Sequence, residues 1–338
     1  MMLTVAVLAI SSSSAATVEE IANYKGADRQ AILEAGARKE GKLTFYAVGT
    51  QIEPLVQKFR EKFPYIRAEM ARQDDSTIVV RKLMEEYKAG LFQCDGLELS
   101  AASLIPLREE EILQPYSTPE SVGYDQAAIE TGRHWVSARE SYGGISYNTK
   151  VIDPAGAPKT WQDLLNPQFK GKMALGDTPS TVGNWTGLMV TTYGADFMQK
   201  IGAQDIKLFN ITNRALTNLN ITGEVPIIAR ATDAQVNESK AKGAPLEWVD
   251  PGVVTVNDTS VAVSRKAPHP HAMMLLIDYL LSAEGQEGYA GLGYSSARKD
   301  RVNAVTPIKK VYLEQRPAYH QEFENWVDLF DKTVRRRR

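Results

Sequence analysis

The sequence predicts an α/β protein of two lobes with a cleft between them. Strand-like runs alternate with helix-like runs through two successive stretches of the chain, which points to largely parallel sheets covered on both faces. A glycine- and proline-rich crossing separates the two stretches, and extended runs near residues 253–263 carry the chain back toward the first. The length of 338 residues fits about two domains at a prior of roughly 150 residues each.

The first lobe starts with a helical pattern over residues 31–39, stopped by Gly41, and a buried strand over 43–48. After the loop Gly49, Thr50 and Gln51, Pro54 suits the first turn of a helix whose Leu55, Val56, Phe59 and Phe63 share one face. The unit repeats: residues 66–70 are extended, Ser76 can cap a helix carrying Ile78, Leu83 and Tyr87, and Gly90 ends it. A strand over 96–99 then leads to Ser100, which can cap a helix through Leu107. Ligands of such sheets bind beyond the carboxyl ends of the strands, which here are the loops at Gln51, at Asp74 to Ser76 and at Ser100.

From Ser141 the run SYGGISYNTK reads as a crossing into a second lobe, broken by Pro154, Gly156 and Pro158. Thr160 with Asp163 forms a capping-box pattern, residues 173–175 a strand, and 181–193 a helix stopped by Gly194. Strands at 206–211, 225–229 and 246–249 alternate with helices at 213–219 and 233–242. Two extended runs, 253–256 and 260–263, flank an expected turn at Asn257-Asp258, and the nearly all-round apolar helix 271–282 should be buried. The expected lobes are 17–140 with 262–338, and 141–261.

Charge and motif content exclude several functions. The 39 basic and 41 acidic side chains leave a net charge of −2, unlike a nucleic-acid coat. The single cysteine, Cys94, rules out an intramolecular disulfide and zinc-type Cys clusters, so no metal or cofactor is expected. His134, His269, His271 and His320 are scattered, and HExxH, GxSxG, the P-loop pattern and GxGxxG are absent, which argues against an enzyme. Residues 3–10 are apolar and 11–16 small and polar, too short for a membrane span, so 1–16 reads as a signal peptide and the mature protein as periplasmic. Arg335 to Arg338 reads as a solvated, frayed tail.

The stretches EGKLTFYAV, GLELSAASLIPL, GISYNTKVI, PKTWQDLLNPQFKGKMAL, TGEVPI, AKGAPLEWVDP and APHPHAMMLLIDYLLSAEGQ, in that order, carry a family likeness. The chain resembles bacterial ABC-transporter solute-binding proteins of the type II periplasmic class, in the branch that includes ferric-ion binders. The resemblance implies a clamshell with two mixed sheets flanked by helices and joined by a hinge of crossing strands. It also implies a monomeric, non-catalytic receptor that hands a small-molecule solute to an ABC permease in the inner membrane. In the ferric relatives a tyrosine pair follows the GEVP-like turn; here Asp233 and Ala234 stand there, and Arg230 would repel a metal. An organic anion or zwitterion is therefore the expected solute. The alternative is a ferric ion or ferric chelate on carboxylates such as Asp233, Glu98 and Asp74. A secreted hydrolase using Asp74, Asp75 and Glu98 is a distant third, and docking on a membrane sensor uses the same fold.

Candidate ligand contacts follow from the loops. The turn from Asp177 to Asn184 joins a strand to a helix, so free N–H groups with Ser180, Thr181, Gly183 and Asn184 can hold an anion, as they do in the relatives it resembles; capping of that helix is the competing role. Arg230 ends an apolar run and can clasp a carboxylate, phosphonate or sulfonate through two hydrogen bonds, or pair with Glu224 or Asp233 instead. Asp233 can accept from an ammonium or hydroxyl group, or cap its own helix. On the first lobe Thr50, Gln51, Ser76 and Ser100 lie at strand ends and can contact solute or cap helices. Tyr142 and Tyr147 belong to the crossing; His134, Trp135 and Trp185 read as core or rim.

Overall fold

The computed structural model describes residues 17–48, 52–73, 76–299, 309–316 and 318–335. The expected signal peptide, Thr50, Gln51, Asp74 and Asp75 lie outside the described residues. Among the described residues eleven strands run in chain order: β1 (Lys42–Val48), β2 (Arg67–Gln73), β3 (Gly96–Ser100), β4 (Leu113–Gln114), β5 (Trp135–Asn148), β6 (Met173–Gly176), β7 (Lys207–Phe209), β8 (Ile227–Thr232), β9 (Leu246–Val249), β10 (Val253–Ser264) and β11 (Lys309–Val311). The helices are α1 (Val18–Asn23), α2 (Arg29–Glu40), α3 (Glu53–Lys62), α4 (Ser76–Lys88), α5 (Ala101–Glu109), α6 (Pro179–Tyr193), α7 (Ala195–Gly202), α8 (Asn213–Thr222), α9 (Asp233–Ala241), α10 (Pro270–Leu281), α11 (Ala283–Gly291) and α12 (Tyr319–Phe330).

The spatial order β2-β1-β3-β10-β5-β8-β6-β7 shows how the lobes join. β1 pairs in parallel with β2 and β3, and β6 in parallel with β7 and β8, as strand-helix-strand units require. Between them β5, 14 residues long, and β10, 12 residues long, run antiparallel and pair with strands of both halves. At roughly 3.3 Å per residue each reaches about 40 Å, enough to traverse both halves. The two mixed sheets are thus one continuous ladder through shared crossing strands.

The turn expected at Asn257-Asp258 does not form. β10 passes straight through, with Asn257 opposite Ser141 and Asp258 opposite Glu140, and the only irregularity is a register shift at Thr259/Ser260. Turn-forming side chains are tolerated here because distant partners satisfy them: Arg230 Nη2 donates to Asn257 Oδ1, and Gln315 Nε2 donates to Asp258 Oδ2 at 2.9 Å.

Apolar clusters cover each half of the sheet on both faces. Phe45, Phe59, Leu276 and Tyr289 pack on one face of the first half, and Leu97, Leu104 and Trp135 on the other. Trp161, Trp185 and Leu188 cover one face of the second half, and Leu216, Ile228 and Val236 the other. α10 is buried from Ala272 to Leu281, as its pattern predicts, and its one charge, Asp278, meets Arg29 and Tyr116. In α4 the buried residues are Val79 and Leu83, while Ile78 is exposed. Thr160 and Asp163 exchange the expected hydrogen bonds, but they hold a short 3-10 turn.

The last segment behaves as a strap. β11 pairs with β10, and Leu313, Tyr319 and Trp326 join the first-half cluster, whereas Phe330 and Val334 join the second-half cluster. α12 lies close against α6: a Cβ on Gly183 would come 2.3 Å from Phe323, and one on Gly187 2.6 Å from Trp326. Arg335, expected in a frayed tail, instead pairs with Asp331 and with Asp177 at the turn into α6, because those carboxylates lie within reach of its fork. Arg336, Arg337 and Arg338 lie outside the described residues.

Candidate functional site

The starts of α5 and α6, one in each half of the molecule, open onto the middle of the crossing strands. α6 is capped by Thr178, whose Oγ1 accepts from the Thr181 N–H at 3.3 Å, with Pro179 at the first helical position. Ser100 holds the N-cap position of α5, yet its hydroxyl bonds to the Ser103 hydroxyl at 2.8 Å and caps nothing.

Two chambers meet at the crossing strands. One, of about 610 Å³, is bordered by Ser100, Ser180, Asp258, Glu314, Tyr319 and Phe323. The other, of about 950 Å³, is bordered by Asn213, Arg214, Thr232, Gln235, Asn237 and Leu292. Arg139, Ser141, Asn257 and Tyr294 border both, so they form a ridge between two parts of one cleft. Arg139 is already engaged: its Nε donates to Glu98 Oε1 at 2.9 Å, and its guanidinium lies 4.5 Å from the Tyr294 ring centroid.

Arg230 is 4% exposed and lies behind the ridge. One Nη donates to Asn257 Oδ1, while Nε is buried without a hydrogen-bond partner. Neither Glu224 nor Asp233 pairs with it, and among the described residues it has no carboxylate within ion-pair distance. Burial lowers its pKa to about 10, only partly offset by Glu314 and Tyr319. With Oδ1 taken by Arg230, Asn257 has its Nδ2 left to donate.

Most other expected contacts have internal work. Asp233 Oδ1 accepts from the Tyr142 N–H at 2.7 Å and ties α9 to β5; burial pushes this carboxyl up to about 6. Thr181 serves the α6 cap, Gly183 lies under Phe323, and Asn184 bonds Glu314 and Tyr319. Ser76 begins α4, away from both chambers, and Tyr142 bonds Glu140 within the hinge. Of the expected set, Ser100 and Ser180 border the cleft directly and Arg230 reaches it through Asn257. Sequence reasoning missed Ser141, Asn257, Asp258, Tyr294, Glu314 and Tyr319; polar residues in the middle of two crossing strands were the available signal for Ser141, Asn257 and Asp258, and Glu314 offered none.

Asp258 and Glu314 bring two buried carboxyls to the smaller chamber. Burial and then the nearby Glu314 push Asp258 up to about 7, and burial also raises Glu314. Among the described residues no three His, Cys, Asp or Glu side chains gather as a metal-binding group. Glu98 and Asp233, two of the carboxylates considered for iron, are bonded to Arg139 and to the Tyr142 N–H.

This two-lobed cleft carried by crossing strands is the architecture of a periplasmic solute receptor. Residues 100–313, more than half of the chain, match the family described as bacterial extracellular solute-binding protein, and the chain belongs to that family. It is 25% identical to an uncharacterized protein of Haemophilus influenzae, over 76% of this chain and 79% of that one. It is similar in fold to iron-bound HitA from Pseudomonas aeruginosa, at 18% identity and a TM-score of 0.69, covering 86% of this chain and 99% of that chain. The fructose-6-phosphate-bound binding protein AfuA from Actinobacillus pleuropneumoniae is comparably similar, at 18% identity and a TM-score of 0.68, covering 87% and 99%. Members of the family deliver solute to an ABC permease from outside the inner membrane, and among the described residues no helix is long and apolar enough to cross it.

Proposed function

We propose that this protein is a monomeric, non-catalytic periplasmic receptor that captures a small organic anion or zwitterion in its cleft and presents the closed form to its permease. Arg230 carries this reading. A buried guanidinium without a carboxylate partner among the described residues is costly, and an anion entering beside Asn257 offsets that cost in a low-dielectric site. Asn257 Nδ2 and the hydroxyls of Ser141, Ser100 and Ser180 supply neutral donors around the same opening. A solute bound by groups from both halves stabilises the closed state by its differential affinity for it.

The test is a thermal-shift screen of ligand-stripped protein against carboxylates, phosphonates, sulfonates, sugar phosphates and ferric salts with and without citrate. A true solute at about 100 times its dissociation constant adds roughly 2.7 kcal/mol. The expected outcome is a shift with an organic anion that Arg230→Met abolishes; the variant loses the bond to Asn257 Oδ1 together with a buried charge, so its solute-free Tm is measured alongside to separate lost binding from lost folding. A shift with ferric salts alone, unaffected by Arg230→Met, overturns the anion assignment.

A further inference from the structure

The strap touches both sides of the cleft through a few consecutive residues. Glu314, 8% exposed, accepts from the Ala102 N–H in the first turn of α5 at 3.2 Å and from Asn184 Nδ2 on α6 at 3.0 Å. The Tyr319 hydroxyl donates to Asn184 Oδ1 at 3.0 Å, so both ends of that amide are held by the strap. Gln315 accepts from Trp135 Nε1 at 2.8 Å and donates to Asp258 on β10. The flanking apolar residues are divided between the two halves, with Leu313 and Trp326 in one cluster and Phe330 and Val334 in the other.

We propose that residues 309–316 and 318–335 form an intramolecular latch that holds α5 and α6 together across the cleft in the solute-free protein, with Glu314 as its bolt. The carboxylate takes one hydrogen bond from each half, so parting the halves must break one of them. The group left behind is a buried carboxylate with an unfilled oxygen, which is costly in proportion to its burial. The packing of Phe323 on Gly183 and of Trp326 on Gly187 fixes α12 to α6, so opening concentrates at the Glu314 to Ala102 contact. The latch works whichever solute the cleft takes, and stands apart from the Arg230 assignment.

Spin labels at Lys58→Cys on α3 and Lys200→Cys on α7, both exposed positions in opposite halves, report the separation of the halves by pulsed electron paramagnetic resonance. Cys94 is buried and stays unlabelled. The solute-free parent should give one narrow distance peak. Glu314→Gln, which keeps the shape but puts an N–H toward one donor, and Asn184→Ala, which removes the α6 anchor, should each move the distribution to longer distances and broaden it. A parent distribution that is already broad overturns the latch without any variant. A narrow peak unchanged in either folded variant overturns it as well.

Discussion

The starts of α5 and α6 face the same cleft but are satisfied in opposite ways. α6 has a local cap: Thr178 accepts from the Thr181 N–H three residues on and donates to the Thr181 hydroxyl at 2.9 Å. At α5 the residue in the cap position turns to Ser103, and the Ala102 N–H finds Glu314, 212 residues away. Both arrangements pair helix-start donors, but they couple to different things. A local cap stabilises its helix whatever the rest of the molecule does. A cap delivered by the strap makes the start of α5 depend on where α12 and α6 lie, and so joins helix stability to the spacing of the two halves.

The strongest way to break that contrast is to loosen the strap. Trp326 is 6% exposed and sits against Gly187 of α6, so Trp326→Ala should cost about 3–5 kcal/mol in denaturant unfolding. Amide exchange should then rise at Ala102 on α5 more than at Thr181 on α6; equal rises would show that the two starts share one fate. A smaller effect is expected from the carboxyls beside the strap. Asp258 has a folded pKa of about 7 against an ordinary value of 3.8, so the folded state holds an extra proton between those values. Its contribution to stability therefore falls as pH rises from about 4 to about 7. Glu314, raised by burial, acts with the same sign. Asp258→Asn should flatten the pH dependence of Tm across that window, and the parent should lose at most about 1.4 kcal/mol per pH unit relative to it.

Features decided by near neighbours were legible in the sequence, and features decided by distant ones were not. Gly41 and Gly194 end helices with φ of 66° and 83°, the α10 run is apolar on every side, and alternating strands and helices build the two halves. The start of α6 was misplaced by two residues because Ser180 and Thr181 look like caps, although Pro179 at the first helical position pointed to Thr178. Asn257-Asp258 carries turn chemistry, and it is held extended by the ladder with β5 and by distant side chains, Arg230, 27 residues away, and Gln315, 57 residues away. The cleft was found in part for the same reason. Helix-start reasoning reached Ser100 and Ser180, whereas Glu314 lies just beyond the short β11 and meets Ala102 and Asn184 from 212 and 130 residues away, which no local pattern announces.

The two caps themselves supply the finest test. Thr178→Ala removes a side-chain acceptor from a helix-start donor, and such losses cost about 1 kcal/mol. Ser100→Ala removes a hydroxyl from the same formal position, but that hydroxyl bonds only Ser103, and the donor that matters is already paired with Glu314. Ser100→Ala should therefore cost well under about 0.5 kcal/mol, within the range of a substitution that leaves no buried donor unpaired. In a Glu314→Gln background the difference should narrow, because the start of α5 then lacks its distant carboxylate and water or a Ser100 hydroxyl freed from Ser103 becomes its substitute. Urea midpoints for the parent, for Glu314→Gln and for each cap variant in both backgrounds measure this directly. A cost for Ser100→Ala equal to that of Thr178→Ala in the parent would mean that α5 is capped locally after all, and that the strap adds only a neighbour where a donor was already satisfied.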